Sequence, residues 1–317
     1  MILVLSSPQD LHVTPVVAEL DRRGVESRVF DLSAYPGAST LTVDSTPSGV
    51  HGALSWGGSE LDLRAVDAVW YRRPGRFALP SDLEPGETEW LRAECNHLFR
   101  GLWNTLDARW VSDPGAVRRA GLKLVQLDLA TTLGFAVPRF TVTNSPDHAA
   151  AFVGSCPGGT IVKVLSSPLI RYPERAATLY THLVTDEDLD ELGSVRFGPT
   201  FLQEFVDKAM DVRVTVIGER VFAVGITPTS ADARVDFRRA EIYDLPHVPL
   251  DLPPVLEARC VELVTRLGLR FGAIDLLLTP DGEYVFLEIN PNGQWYWLEW
   301  VTGIPLTSAL CDLLTRE

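Results

Sequence analysis

Apolar positions along the chain recur with two periods, and their alternation predicts an α/β fold. Ile2–Leu5 is an unbroken apolar run, the pattern of a strand buried on both faces. Thr14–Arg23 has helical spacing and stops at Gly24, after which Val25–Leu32 returns as a strand. Ser33–Gly58 is polar and without a clear period, and is read as turn-rich. Ala65–Tyr71 is another apolar strand, which delivers Arg72, Arg73, Pro74, Gly75 and Arg76 to its C-terminal end. Leu91, Cys95, Leu98, Leu102 and Leu106 recur at three- and four-residue steps and predict a helix over Glu87–Leu106. Trp110–Ser112 is a short strand. Asp113–Pro114 then supplies a capping acid and a first-turn proline for one helix running to about Leu133 and stopping at Gly134.

The middle of the chain predicts strands at Arg139–Thr143, Thr160–Leu165 and Thr200–Val206, with a short helix capped around Asn144–Pro146. Thr185, followed by three acids, marks a second helix start. Ser166–Arg175, with Pro168 and Pro173, is read as a loop. Asp211–Ile217 alternates strictly and turns at Gly218 into Val221–Thr227. Leu256–Leu267 is a helix ending at Gly268.

The last hairpin, Phe271–Thr279 with Glu283–Asn290, carries the sharpest chemistry. Read as a two-residue turn, Asp281-Gly282 sets Asp275 opposite Glu288, with Asn290 on the same face as Glu288. Ile274, Leu276 and Leu278 then share the opposite, core face with Val285, Leu287 and Ile289. Two opposed carboxylates repel unless neutralised. A divalent cation would do so, and Asp, Glu and Asn oxygens suit magnesium. The alternative is a solvent-facing strand pair. The adjoining Asn290-Pro291-Asn292-Gly293 turn and the aromatics Trp295, Tyr296, Trp297 and Trp300 favour the metal.

Composition narrows the choice. The 317 residues carry a net charge of −14, which argues against non-specific nucleic-acid binding. No apolar stretch approaches the roughly 20 residues of a membrane span. The N-terminus has no basic region of a signal peptide, and Cys95, Cys156, Cys260 and Cys311 form no CxxC; a reducing cytoplasm is the expected location. P-loop, GxG, GxSxG and HExxH motifs are absent. Of the 28 basic residues only Lys123, Lys163 and Lys208 are lysines. Arginine-rich composition that still keeps a lysine points to places where a compact ammonium is needed, although chance survival explains three as well.

The stretches Val69–Pro74, Leu122–Asn144, Ile161–Pro168, Tyr180–Leu189, Gln203–Gly218, Asp236–Arg238 and Gly272–Trp295 resemble the ATP-grasp superfamily. More narrowly, they resemble the ribosomal-peptide maturases that make microviridins and other omega-ester peptides (graspetides). The resemblance implies an ATP-grasp fold behind an N-terminal pre-ATP-grasp α/β domain. The expected divisions are residues 1–115, 116–200 and 201–317. It implies ATP and magnesium as cofactors, with Lys123 and Lys163 on the phosphates and Gln203, Glu204, Phe205 and Val206 as the adenine hinge. Asp211 supports the nucleotide, and Asp275, Glu288 and Asn290 hold the metal. Arg213 and Arg238 hold the transferred phosphate and the acyl-phosphate. Lys208 is left between an ATP contact and an exposed side chain.

The implied substrate is a precursor peptide, a leader with an acidic core, and the implied assembly a homodimer. Neither nucleic acid nor membrane is an expected partner. Arg72, Arg73, Asp236 and Asn292 are candidate peptide contacts. Arg76, Arg171, Arg234, Arg238 and Arg239 would extend a positive lining, since an acidic peptide needs local attraction to an acidic enzyme. The alternatives left open are ligation of free amino acids or small carboxylates, and a noncatalytic nucleotide-binding regulator.

Overall fold

The computed structural model describes residues 1–47, 49–166, 169–172, 175–239 and 241–316. Ile2–Ser6 (β1) is buried at all five positions, as its apolar run requires. Helix Val13–Arg22 (α1) follows, and the chain returns in Ser27–Phe30 (β2). Ser39–Thr46 (β3), Gly49–Trp56 (β4) and Ser59–Asp62 (β5) then form an antiparallel meander where turns were expected. Its period was hidden because β3 lies almost wholly in solvent; only β4 and β5 bury apolar side chains, Leu54 and Leu61. Ala68–Arg73 (β6), helix Pro85–Thr105 (α2) and Arg109–Val111 (β7) complete a parallel sheet in the order β2-β1-β6-β7. Strand β6 runs two residues past its expected end, so alternation buries Arg72 and exposes Arg73.

The single helix expected from Asp113 to Leu133 is two: Pro114–Ala120 (α3) and Lys123–Thr132 (α4). Gln126, buried at 3% exposure, explains the break. Its amide donates to the Ala120 carbonyl (2.6 Å), closing α3, and to the Ile289 carbonyl (2.8 Å). Its oxygen accepts the Ile289 N–H at 3.1 Å. The break makes Lys123 the first residue of a helix rather than a position within one.

Phe140–Thr143 (β8), helix Pro146–Gly154 (α5) and Thr160–Lys163 (β9) begin the central sheet. Leu169–Arg171 (β10) and Ala176–Thr178 (β11) pair as a hairpin where a loop was expected; Pro168 and Pro173 lie outside the described residues. His182–Leu183 (β12), helix Asp186–Asp190 (α6, capped by Thr185) and Thr200–Glu204 (β13) complete an antiparallel sheet, β12-β9-β13-β8. The second antiparallel sheet is built from Met210–Ile217 (β14), Arg220–Ile226 (β15), His247–Leu250 (β16), Phe271–Leu278 (β17) and Tyr284–Asn290 (β18), in the order β16-β15-β14-β17-β18. Helix Pro254–Arg266 packs on its outer face through Leu256, Cys260, Leu263 and Val264.

The final helix, Leu306–Thr315, leaves this sheet and packs on α1. Leu306, Leu310 and Leu314 share one core with Ile2, Val4, Val16 and Leu20. At roughly 1.5–3 kcal/mol for each buried leucine, the end of the chain ties the first unit firmly to the last. All four cysteines are free and buried, and burial pushes the Cys260 thiol up to about 12. Among the described residues no helix is long and apolar enough to cross a membrane.

Candidate active site

A cavity of about 430 Å³ opens between the central sheet and the second antiparallel sheet. Lys163 and Gln203–Val206 reach it from the first, and Asp211, Arg213, Asp275, Glu288 and Asn290 from the second.

The β17–β18 hairpin reaches the expected Asp275–Glu288 pairing by another route. Thr279 N–H bonds the Glu283 carbonyl (2.9 Å), so the loop has three residues, with Gly282 in the left-handed region at φ +86°. That loop alone would set Asp275 opposite Leu287. A bulge makes Leu287 the extra residue and returns Glu288 to Asp275. It also reverses the alternation. Phe286, not Leu287, joins Ile274, Leu276 and Ile289 in the core, and Leu287 turns into the cleft. Val285, also expected in that core face, bridges Ala136.

Around the carboxylates the cations are close-set. Lys123 ion-pairs with Glu288, reaching down from the start of α4. Arg213 Nη1 donates to Asp275 Oδ1 (2.7 Å), and its Nη2 to the Gln294 carbonyl (2.9 Å). The Asn290 amide bridges Asp275 Oδ2 (3.0 Å) and Glu288 Oε1 (3.4 Å). Burial pushes the Glu288 carboxyl up, but Lys123 and Lys163 outweigh it and hold the group below the usual carboxylate range. Burial lowers the Lys163 ammonium, against the pull of Glu288. Arg238 forks onto Asp236 (2.8 and 2.6 Å), and that contact raises its pKa. Asp236 also accepts the Thr181 N–H at 3.4 Å, tying its segment to the central sheet's side of the cleft.

Two features await a ligand. Gln203 is 1% exposed, yet neither polar atom of its side chain has a partner; Arg213 Nε is likewise unpartnered. A buried amide left unpaired costs about 1–3 kcal/mol, so a site that keeps one supplies its partner from outside the chain. Among the described residues no three His, Cys, Asp or Glu side chains converge. Two carboxylates and one amide, completed by a nucleotide's own phosphates, are a donor set that fits magnesium.

Comparison with known proteins places the chain in a family. The family model described as the MvdD pre-ATP grasp domain matches residues 1–118. Macrocyclase MdnB from Microcystis aeruginosa MRC is 30% identical, with 100% of this chain and 99% of that one covered and a TM-score of 0.85. This chain belongs to the ATP-grasp peptide macrocyclases. Macrocyclase MdnC from the same organism, bound with precursor peptide MdnA, is 29% identical over 100% of this chain and 99% of that one (TM-score 0.88). A Chryseobacterium gregarium RiPP-associated ATP-grasp ligase, in complex with ADP and a leader and core peptide, is 27% identical over 99% and 96% (TM-score 0.91). No curated protein matches the chain.

In this macrocyclase the expected site residues separate into two groups. Lys123, Lys163, Gln203–Val206, Asp211, Arg213, Asp236, Arg238, Asp275, Glu288 and Asn290 all border one cleft. Arg72 does not. It is 1% exposed and spends its guanidinium on the Asn292 and Gly293 carbonyls (2.6 and 2.9 Å), a structural tie in place of the expected peptide contact. Arg73 borders the cleft and also donates to the Asn292 carbonyl (3.1 Å). Arg76 is exposed, Arg234 borders the cleft, and the Arg171 and Arg239 side chains lie outside the described set. The four aromatics also divide. Trp297 lines the cleft, Trp295 is buried in the core shared with the first unit, Tyr296 packs against that core, and Trp300 is 70% exposed.

Lys208 is neither exposed nor free. It is 5% exposed and grips Asp211 at 2.7 Å. Burial nonetheless pushes the Asp211 carboxyl up from 3.8 to about 6. With the folded value above the unfolded one, its contribution to stability is full below about pH 4. It is lost as pH rises to about 6. His12, lowered by burial, contributes with the opposite sign over part of this range, so the test compares two proteins. The stability advantage of wild type over Asp211→Asn, followed by thermal unfolding, is expected to shrink as pH rises from 4 to 7.

Sequence reasoning missed Gln126, Asp10 and His12. The signal available for the last two was their place just beyond β1, at the carboxyl end of a parallel sheet. Gly293 is required by close approach. A Cβ there would lie 2.4 Å from the Ala273 Cβ and 2.7 Å from Arg213 Nη2. Gly293→Ala is expected to lower turnover about 100-fold by displacing Arg213, with kcat and the melting temperature measured together to separate this from unfolding.

Proposed function

We propose that this enzyme uses ATP to activate Asp or Glu side chains of a ribosomally made precursor peptide as acyl-phosphates. Thr or Ser hydroxyls, or Lys amines, of the same peptide then attack and close rings. The observation that carries this reading is the convergence of Lys123, Lys163, Arg213 and Arg238 around the Asp275–Glu288 pair in one cleft beside an unsatisfied Gln203. A carboxylate becomes a competent electrophile only when its oxygen leaves as phosphate. The charge developing during phosphoryl transfer needs preorganised cations and little else. No enzyme nucleophile is required.

Lys123 and Lys163 take the phosphates. The Glu204 and Phe205 N–H groups are committed to the Arg139 and Gly159 carbonyls (2.8 and 3.0 Å), which leaves the Val206 N–H to donate to adenine. The Gln203 amide is positioned to serve the nucleotide, and Asp211 supports it through Lys208. Asp275, Glu288 and Asn290 would hold magnesium, which neutralises charge on the phosphates. Arg213 holds the transferred phosphoryl group, and Arg238, steered by Asp236, the acyl-phosphate. Arg73 and Arg234, both at the cleft, attract the acidic core; Asn292, expected as a peptide contact, is not among the described residues bordering the cleft, and its carbonyl is taken by Arg72 and Arg73.

The ligation balances simply. The carboxylate takes the γ-phosphoryl group and ADP leaves; the hydroxyl or amine attacks, its proton is lost, and phosphate leaves. Each ring therefore removes one water from the peptide. Mass spectrometry of a candidate precursor incubated with enzyme, ATP and magnesium is expected to show that loss with matching ADP release. No ADP release, whether the enzyme is alone or with an acidic peptide or the precursor, and no dehydrated product would overturn the reading.

A further inference from the structure

Arg72 and His12 of the N-terminal unit are buried against the segment that follows β18, with the half-buried Asp10 joining them, and none of the three is among the described residues bordering the cleft. Arg72 Nη1 donates to the carbonyls of Asn292 and Gly293, and its Nε to Asp10 Oδ2 (3.1 Å). Asp10 Oδ1 accepts from the His12 N–H (3.0 Å) and from the His12 ring Nδ1–H (2.7 Å). The other ring nitrogen, Nε2, accepts the Trp295 N–H at 3.1 Å. That bond leaves Nε2 bare, so Nδ1 carries the proton and gives it to Asp10, the nearer of its two neighbours; Arg72 Nη2 lies 3.1 Å from the same nitrogen. Burial lowers the His12 pKa and favours the neutral ring this arrangement needs.

The segment from Asn292 to Trp295 is thus gripped at both ends from outside the ATP-grasp sheets. Between the grips, the Gln294 carbonyl receives Arg213 Nη2 (2.9 Å). At its start, the Gly293 N–H bonds the Asn290 carbonyl (3.0 Å). Docking of the two units does not need this network, because an apolar core already joins them. Burying a guanidinium, a carboxylate and an imidazole is costly compared with apolar packing. What the network adds is direction: hydrogen bonds fix where a backbone carbonyl points, and apolar contact does not.

We propose that Asp10, His12 and Arg72 form a positioning unit that orients Arg213 and Asn290 through residues 292–295, so that the N-terminal unit sets the site's grip on the γ-phosphate. This rests on the phosphate and metal roles given above to Arg213 and Asn290. His12 acts through the backbone and touches neither nucleotide nor peptide.

The test uses the full chain and titration calorimetry with ADP and a non-hydrolysable imido analogue of ATP, each with and without magnesium. Wild type is expected to prefer the magnesium-bound triphosphate over the magnesium-bound diphosphate. His12→Leu, which removes the acceptor for Trp295, is expected to reduce that preference about tenfold while leaving magnesium-free ADP binding nearly unchanged. His12→Gln, which keeps an acceptor oxygen, is expected to restore most of it. A preference in His12→Leu equal to wild type overturns the proposal. So does a parallel fall of all four affinities in both variants, the mark of a purely structural role. A wild type without any preference overturns the phosphate reading itself, and this inference with it. Should His12→Leu fail to fold, Arg72→Lys gives the same readout. A lysine keeps the charge facing Asp10 but has no planar fork for two carbonyls.

Discussion

Glu288→Ala is expected to lower ring formation by about three orders of magnitude or more, the scale of losing preorganised charge stabilisation at a transferring phosphoryl group. The structure makes this the most damaging single change at the site for two reasons. Glu288 is a proposed metal ligand, and it is also the counter-charge for Lys123 and Lys163. Its removal leaves two ammonium groups repelling each other without their counter-charge, while the remaining carboxylate, Asp275, is already paired with Arg213. Those lysines would then be held against their mutual repulsion or turn away from the phosphates. The measurement is the count of waters lost from the peptide, by mass spectrometry, together with ADP release. Dehydration at the wild-type rate in Glu288→Ala and Asp275→Ala would remove the metal assignment. Glu288→Gln refines the result, because it keeps the shape and removes the charge. An equally deep loss there assigns the effect to the carboxylate's charge.

Arg213→Ala is expected to lower kcat about 1,000-fold, with a much smaller change in KM for ATP. The guanidinium meets Asp275 with one nitrogen and the Gln294 carbonyl with another, and its Nε is left without a partner. Held in this way at the cleft, the guanidinium needs no reorganisation during reaction and keeps one buried donor unspent. Arg213→Lys is therefore expected to recover little of the activity, since one ammonium cannot span Asp275 and Gln294 and still face the phosphate. Steady-state kinetics in ATP at saturating peptide separates the outcomes. A rise in KM with kcat unchanged would make Arg213 a ground-state contact and not a group acting on the transferring phosphoryl.

Much of this site was legible in the chain because its chemistry is concentrated in strands. Strict alternation in Asp211–Ile217 put Asp211 and Arg213 on one face, and both border the cleft. The Asp275–Glu288 pairing was also anticipated, yet for the wrong reason. A three-residue loop and a bulge at Leu287 together give the register that a two-residue turn would have given alone. The error surfaced in the neighbours. The bulge sends Leu287 into the cleft and Phe286 into the core, a reversal invisible to a strict period of two. The break between α3 and α4 escaped notice too, because Gly121 and Leu122 interrupt the helix only where Gln126 reaches back to close it.

The sequence by itself determined the α/β class, the main strands and helices on either side of the cleft, and the acid pair with its amide neighbour. These depend on local periodicity and on residue types whose chemistry has few other uses. Tertiary structure alone decided that Arg72 is a buried brace, that Lys208 is paired with Asp211, that the final helix returns to the first sheet, and that His12 holds the segment carrying Gln294. Each of these joins residues 3 to 295 positions apart in the chain. The physical reason is that a charged side chain's partner is chosen by packing. A guanidinium read from sequence is an available cation, and only the fold shows whether its hydrogen bonds have already been spent on the protein's own backbone.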